Sequence, residues 1–244
     1  PPDEDFATEI ERLLNTAPIQ RYTSLKIPDD WRPLYSDINS PARRIVFNYL
    51  VSRDYPKHDA EALAQRYELH YALHEPWARR VIFPIRDERG DLVNFTGRAI
   101  YKGARIRYKT LAGEEAVKRM SECLLDYNRL IRTQGNVLIV CEGPFNALRI
   151  NWIGEPFGIH ATCVFTQNVS NVQAFKLQNL RRNFQRAGVL FDRGAEMQAV
   201  RAQFQLDFER FDLPEYPKVK DPGDLSGGQV LALCRSLLYT GGEL

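Results

Sequence analysis

Twice in the second half of the chain, a short unbroken apolar run ends at an acid and gives way to helical spacing. Val137-Leu138-Ile139-Val140 leads through Cys141 into Glu142-Gly143-Pro144, and helical spacing continues from Phe145 to Trp152. Ala187-Gly188-Val189-Leu190-Phe191 leads into Asp192, and a second helical pattern runs from Ala195 to Phe208. A continuous apolar run is what a strand buried on both faces requires, because neither side of it meets water. Parallel strands need a crossover, usually a helix, so repeated strand–helix units predict a parallel sheet flanked by helices. The fold class expected is α/β. In such sheets ligands gather beyond the carboxyl ends of the strands, which is where Glu142 and Asp192 fall.

The first half reads differently. Phe6 to Leu14 has helical spacing, and Pro28, Pro33 and Pro41 break the next stretch into loops. Ser40-Pro41 is a helix start, Ser at the N-cap and Pro at the first helical position, with the helix running through Ile45, Val46, Tyr49 and Leu50. His58 to Tyr67 reads as a second helix that Asp59 is placed to cap. Arg80–Ile85, the turn Asp87-Glu88-Arg89-Gly90-Asp91 and Leu92–Phe95 read as a β-hairpin.

Charge separates by region rather than in total. The net formal charge of the 244 residues is only +2, which excludes nucleic-acid binding by bulk charge but leaves room for a local basic face. Residues 79–109 hold nine basic and three acidic side chains, whereas residues from 134 onward hold eleven of each. A length of 244 residues suits one large domain or two modest ones, and the change of pattern suggests a basic unit over 1–133 and a sheet unit over 134–244.

No apolar run is long enough to span a membrane and no secretory signal opens the chain, so no membrane association is expected. The chain starts Pro1-Pro2 without Met, so it is expected to be a piece of a longer protein. Cys123, Cys141, Cys163 and Cys234 are scattered, with no paired spacing. No zinc is expected in this chain, and reduced thiols point to the cytoplasm. His70 and His74 share a possible helix face but read as ordinary polar packing.

Two carboxylates at strand ends are hard oxygen donors suited to Mg²⁺. A third acidic patch, Lys220-Asp221-Pro222-Gly223-Asp224, is held as a turn by Pro and Gly. Alone it reads as a solvated turn; with Glu142 and Asp192 it completes an acid set for phosphoryl-transfer chemistry.

These residues resemble a known family. Val137-Leu-Ile-Val-Cys-Glu142-Gly143-Pro-Phe-Asn146 resembles the Glu-Gly-x-x-Asp motif of the TOPRIM domain, shared by DnaG-type primases, topoisomerases and some nucleases. Arg80-Val-Ile-Phe83-Pro84-Ile85 through Gly90 to Phe95-Thr-Gly97-Arg98 is similar to a segment of DnaG-type primases in particular. Arg107-Tyr108-Lys109-Thr110, Leu124–Leu130 and Asp221-Pro-Gly-Asp224 are similar to further segments of that family, in its order. The likeness covers roughly residues 40–230 and leans towards phage or mobile-element primases.

The resemblance implies a Rossmann-like TOPRIM sheet preceded by a smaller basic α/β subdomain. It implies catalysis by Glu142 and Asp192, with Mg²⁺ or Mn²⁺ held by Glu142, Asp192, Asp221 and Asp224. Arg98, Arg107, Tyr108 and Lys109 would face nucleotide and template, in agreement with the basic excess at 79–109, and Tyr22, Tyr101 and Tyr108 would stack on bases. The implied partners are single-stranded DNA, nucleoside triphosphates, a replicative helicase and a zinc-binding domain outside this chain. The place implied is the cytoplasm of a bacterial or phage-infected cell.

Two departures stand out. Asn146 replaces the motif's Asp, and Asp192-Arg193-Gly194 lacks the second acid of Asp-x-Asp. Fewer anionic ligands predict weaker metal binding, with Mn²⁺ favoured. The leading expectation is a primase core; the alternatives are a degenerate module that binds DNA or a replication partner without catalysis, and a TOPRIM nuclease, against which Phe83-Pro84-Ile85 and Gly97-Arg98 speak. No Walker-type phosphate loop is present, so motor activity is not expected of this chain.

Overall fold

A computed structural model describes residues 24–239. The helix expected at Phe6–Leu14, and Tyr22, lie outside the described residues.

The first half builds an antiparallel sheet. Its elements are β1 (Trp31–Pro33), α1 (Pro41–Val51), α2 (Lys57–Arg66), β2 (His70–Ala72), β3 (Arg80–Arg86), β4 (Leu92–Ala99) and β5 (Tyr108–Thr110). The strands lie in sequence order, each antiparallel to the next. The Ser40 hydroxyl accepts from Arg43 N at 3.3 Å, capping α1 as its sequence predicts. The hairpin forms, with Phe83 opposite Thr96. Its turn closes on Asp87 Oδ1, which accepts from Arg89 N and Asp91 N at 3.0 and 3.1 Å. Asp59 does not cap α2: it sits within the first turn, and Pro56 holds the cap position. His70 lies in a strand, its Nδ1 2.6 Å from Glu68 O, so His70 and His74 share no helix face.

After the short α3 (Tyr127–Leu130) comes a parallel sheet. It comprises β6 (Gly135–Cys141), α4 (Pro144–Gly154), β7 (Ile159–Cys163), α5 (Asn171–Arg181), β8 (Phe184–Val189), α6 (Glu196–Leu206), β9 (Glu209–Arg210) and α7 (Gly227–Tyr239). The strand order is β7-β6-β8-β9. Successive strand side chains point to opposite faces, so β6 divides its apolar run between two cores. Val137, Ile139 and Cys141 join α4 and α7 on one side. Leu138 and Val140 join α5 and α6 on the other. The expected α/β class, a parallel sheet flanked by helices, is the observed one.

The first core is continuous with the antiparallel sheet, since Phe83, Ile85 and Leu50 belong to the cluster that holds Ile139. Leu124, Tyr127 and Leu130 pack into the second. The four cysteines are buried and unpaired. Among the described residues no helix is long and apolar enough to cross a membrane.

Candidate active site

The acids converge beyond the carboxyl ends of β6 and β8. Glu142 is 9% exposed, and its Oε1 accepts from the Asp192 backbone N–H at 2.9 Å. Asp192 Oδ1 accepts from Asn146 Nδ2 at 2.7 Å, and Asn146 Oδ1 accepts from Gly223 N at 3.2 Å. One amide at the start of α4 thus uses both ends to tie the strand-end acid to the acidic turn. An aspartate in its place could not donate to a second carboxylate.

Residues 221–224 form a tight turn in which Asp224 Oδ2 accepts from Lys220 N at 3.1 Å. Asp224 is exposed and stands outside the cleft that Asp221 lines. Asp221 Oδ1 is buried without a hydrogen-bond partner. A Cβ on Gly223 would lie 2.7 Å from Arg53 Nη2, so a glycine lets the turn approach this closely.

Crowded, half-buried carboxylates repel one another and lose hydration. Burial, then the neighbouring Glu142 and Asp221, pushes Asp192 up to about 7. Burial also raises Glu142, against the pull of the Asp192 N–H and the Gln167 side chain. Asp221 is raised by burial and Asp224, partly offset by Arg53 and Arg107. The sign comes from linkage: a carboxyl whose folded pKa lies above its unfolded value stabilises the fold while protonated. Without divalent ions, the contribution of Asp192 is fully present below its unfolded value and is lost as pH rises through about 7. The thermal midpoint in chelator is therefore expected to fall over that window, with a flatter profile in Asp192→Asn.

Mutually repelling oxygens and an orphaned carboxylate atom fit a hard divalent ion. Among the described residues no three His, Cys, Asp or Glu side chains form a ready metal cluster. The donors therefore suit an ion that keeps several waters in its shell.

A basic wall faces the acids across a cleft of about 250 Å³, where Arg98, Arg107 and Tyr108 meet Glu142, Asp192 and Asp221. The Arg98 guanidinium lies 4.8 Å from the centre of the Tyr108 ring, and its Nε is buried without a partner. Burial pushes the Tyr108 hydroxyl up to about 12, so it is a neutral donor. Lys109, the neighbouring position in β5, is not brought to the cleft; its Nζ lies 5.5 Å from the Trp77 ring centre. Beside the cleft a depression of about 480 Å³ shares Arg98 and Arg107 and adds Tyr101 and Lys102. A separate recess of about 330 Å³ holds Arg66, Arg86, Asp126 and Arg129. There Arg66 and Arg129 both pair with Asp126 and Glu155, away from the acids of the cleft.

Sequence reasoning missed Arg53. Just past α1, its Nη2 donates to Gly223 O at 3.1 Å and its guanidinium lies 4.8 Å from the Phe145 ring centre. No local pattern marks a contact between residues 170 positions apart. The bridging role of Asn146 was also missed, although its departure from the motif flags the position.

Asn146→Asp is expected to lower metal-free stability by about 1–3 kcal/mol, since it removes a donor from a buried carboxylate and adds a charge beside it. Divalent ions should restore its thermal midpoint more than they raise that of the wild type, as thermal melts with and without Mg²⁺ would record.

The chain is similar to known proteins in sequence and in fold. Residues 34–120 match the family described as DNA primase catalytic core, N-terminal domain. The DNA primase of Mycoplasma pneumoniae is 32% identical over 113 residues, 46% of this chain, and the match spans only 17% of that protein. The E. coli primase catalytic core superposes with a TM-score of 0.62 at 16% identity, covering 85% of this chain and 79% of that one. A DnaG primase catalytic domain bound to single-stranded DNA gives 0.59 at 17% identity, covering 84% and 77%. Residues 34–120 are therefore similar to the N-terminal domain of DNA primase catalytic cores, and over most of its length the chain has the fold of the DnaG catalytic core.

Proposed function

We propose that the chain is a primase catalytic core that joins ribonucleoside triphosphates on single-stranded DNA into a short RNA primer. The observation that carries this is the single cleft in which Glu142, Asp192 and Asp221 face Arg53, Arg98 and Arg107. Glu142, Asp192 and Asp221 would hold Mg²⁺ or Mn²⁺, with Asp224 supporting the turn from outside. When bound, such an ion neutralises charge developing on the phosphate and activates the attacking hydroxyl.

Arg98 and Arg107 would grip triphosphate oxygens through charge-assisted hydrogen bonds, with Tyr108 donating a neutral one. The 3′-hydroxyl of one nucleotide then attacks the α-phosphate of the next, and pyrophosphate leaves. The template would run along the adjoining depression, where Lys102 adds charge and Tyr101, 45% exposed, offers a stacking face. The similar DnaG domain bound to single-stranded DNA supports such a strand as the template. Lys109, on the other side of β5, would act outside the cleft.

In this reading residues 134–244 form a TOPRIM unit and 1–133 the basic unit. A zinc-binding domain and a replicative helicase are proposed as partners outside this chain, supported by similar structures of a primase with a zinc-binding domain and of the primase fragment of a primase-helicase. The proposed setting is the cytoplasm of a bacterial or phage-infected cell.

The second reading is a module that binds DNA without turnover. It is favoured by the absence of a ready three-ligand cluster among the described residues and by Asn146, which already occupies Asp192 Oδ1. Incorporation of labelled ribonucleotides on mixed-sequence single-stranded DNA, with Mg²⁺ and then Mn²⁺, separates the two. Products of a few nucleotides support the core; DNA binding that weakens steeply with salt, without products, supports the module.

A further inference from the structure

Phe165 lies just past β7 with a φ of +64°. A bulky residue in the left-handed region is a strained outlier, and such outliers persist only where the surroundings hold them. The surroundings here are firm. Val164, fully buried, donates its N–H to Cys141 O at 3.1 Å. On the other side, Thr166 Oγ1 donates to Asn168 O at 2.8 Å, and Gln167 lines the cleft together with Glu142. Glycine would take this backbone without strain, yet the chain places a ring there. That ring is half-buried against the first core and lines the cleft beside Glu142, Asp192, Arg98 and Arg107.

The other aromatic residues of the cleft are already engaged. Phe145 packs against Tyr49 and Phe83 at 5.8 and 5.3 Å and lies under Arg53. Tyr108 is covered by the Arg98 guanidinium. Among the described residues Phe165 has neither a ring partner nor a cation over its face. Acids suited to an ion and arginines suited to phosphates leave the rest of a nucleotide without an apolar surface, and Phe165 supplies one.

We propose that Phe165 is the platform on which the base of the nucleotide in this cleft stacks. The inference rests on the reading that the cleft takes a nucleotide, and it adds how the base is received. Every base has a flat π-face, and a phenyl ring has no hydrogen-bonding group, so stacking there selects no base. That suits a site in which a template strand, not the protein, chooses the base.

The test is isothermal titration of ATP and of inorganic tripolyphosphate, with Mg²⁺ present, into the wild type, Phe165→Leu and Phe165→Tyr. Leucine keeps apolar bulk against the core and removes the π-face; tyrosine keeps both. Phe165→Leu is expected to weaken ATP about tenfold and to leave tripolyphosphate within about twofold, while Phe165→Tyr binds ATP as the wild type does. ATP binding unchanged in Phe165→Leu overturns the platform, as does equal weakening of ATP and tripolyphosphate, or tyrosine failing as leucine does. A wild type that binds neither ligand overturns the nucleotide reading and the platform with it. Phe165→Met carries the same comparison if the leucine variant does not fold.

Discussion

Glu142→Gln is expected to lower primer synthesis by about 10³-fold with the thermal midpoint preserved. The carboxylate stands at the end of a strand whose apolar residues are buried on both sides, so its position is held by two cores. Glutamine keeps an oxygen able to accept from the Asp192 N–H, a hydrogen bond of 2.9 Å between the two strand ends. It removes the negative charge. Removing one of the carboxylates that would hold the ion weakens the ion's neutralisation of charge developing on the phosphate, and losing one such electrostatic stabiliser typically costs about 10²–10³ in rate, which is about 3–4 kcal/mol of barrier. Ribonucleotide incorporation and thermal melts on the same preparations would check both halves of the expectation. Full activity in Glu142→Gln would refute the assignment of this cleft as the catalytic one. A melt that collapses would show instead that the charge holds the fold.

The second large effect concerns stability. Gly188→Ala is expected to destabilise the protein by about 2–3 kcal/mol, read as a fall in the denaturant midpoint. Gly188 lies in β8 beside the central strand, opposite Ile139. Phe211, just past β9, donates its N–H to Val189 O at 2.9 Å and lays its ring across the glycine. An added Cβ would sit 2.4 Å from Phe211 Cε2, and the ring is buried, with little room to move. Gly113→Ala is the control: nothing lies within 4 Å of its added Cβ, so a shift below about 0.5 kcal/mol is expected. Equal midpoints for the two variants would sink the packing argument.

Much of this site was legible before any fold was seen. Glu142, Asp192 and Asp221 sit where local signals end: two apolar runs and a Pro-Gly turn. The α1 cap and the β3–β4 hairpin were equally legible, because Ser40-Pro41 and Asp87–Asp91 act on backbone groups within a few residues of themselves. Asn146 and Arg193-Gly194 were visible as departures from a motif. What Asn146 does was not, since its partners lie 46 and 77 positions away.

Other elements escaped for a related reason. β1, β2 and β5 are three residues each, too short for a period to emerge, and each exists only because a neighbouring strand pairs with it. The direction of Lys109 comes from the pleat once β5 is known to be a strand, but nothing in Arg107-Tyr108-Lys109 alone says so. Phe165 reads as an ordinary apolar residue; its positive φ is set by the hydrogen-bonded residues on either side of it.

The sequence alone determined the α/β class, the parallel sheet and the acids at its strand ends. Those features depend on side-chain periodicity and on residues adjacent in the chain, and physical chemistry acts on them before any long loop closes. The tertiary structure alone decided that Arg53 meets Gly223, that Arg98 and Arg107 face Glu142, and that Phe211 needs a glycine beneath it. Those contacts exist only after both sheets have packed on a shared core, when the entropy of closing long loops has been offset by burial.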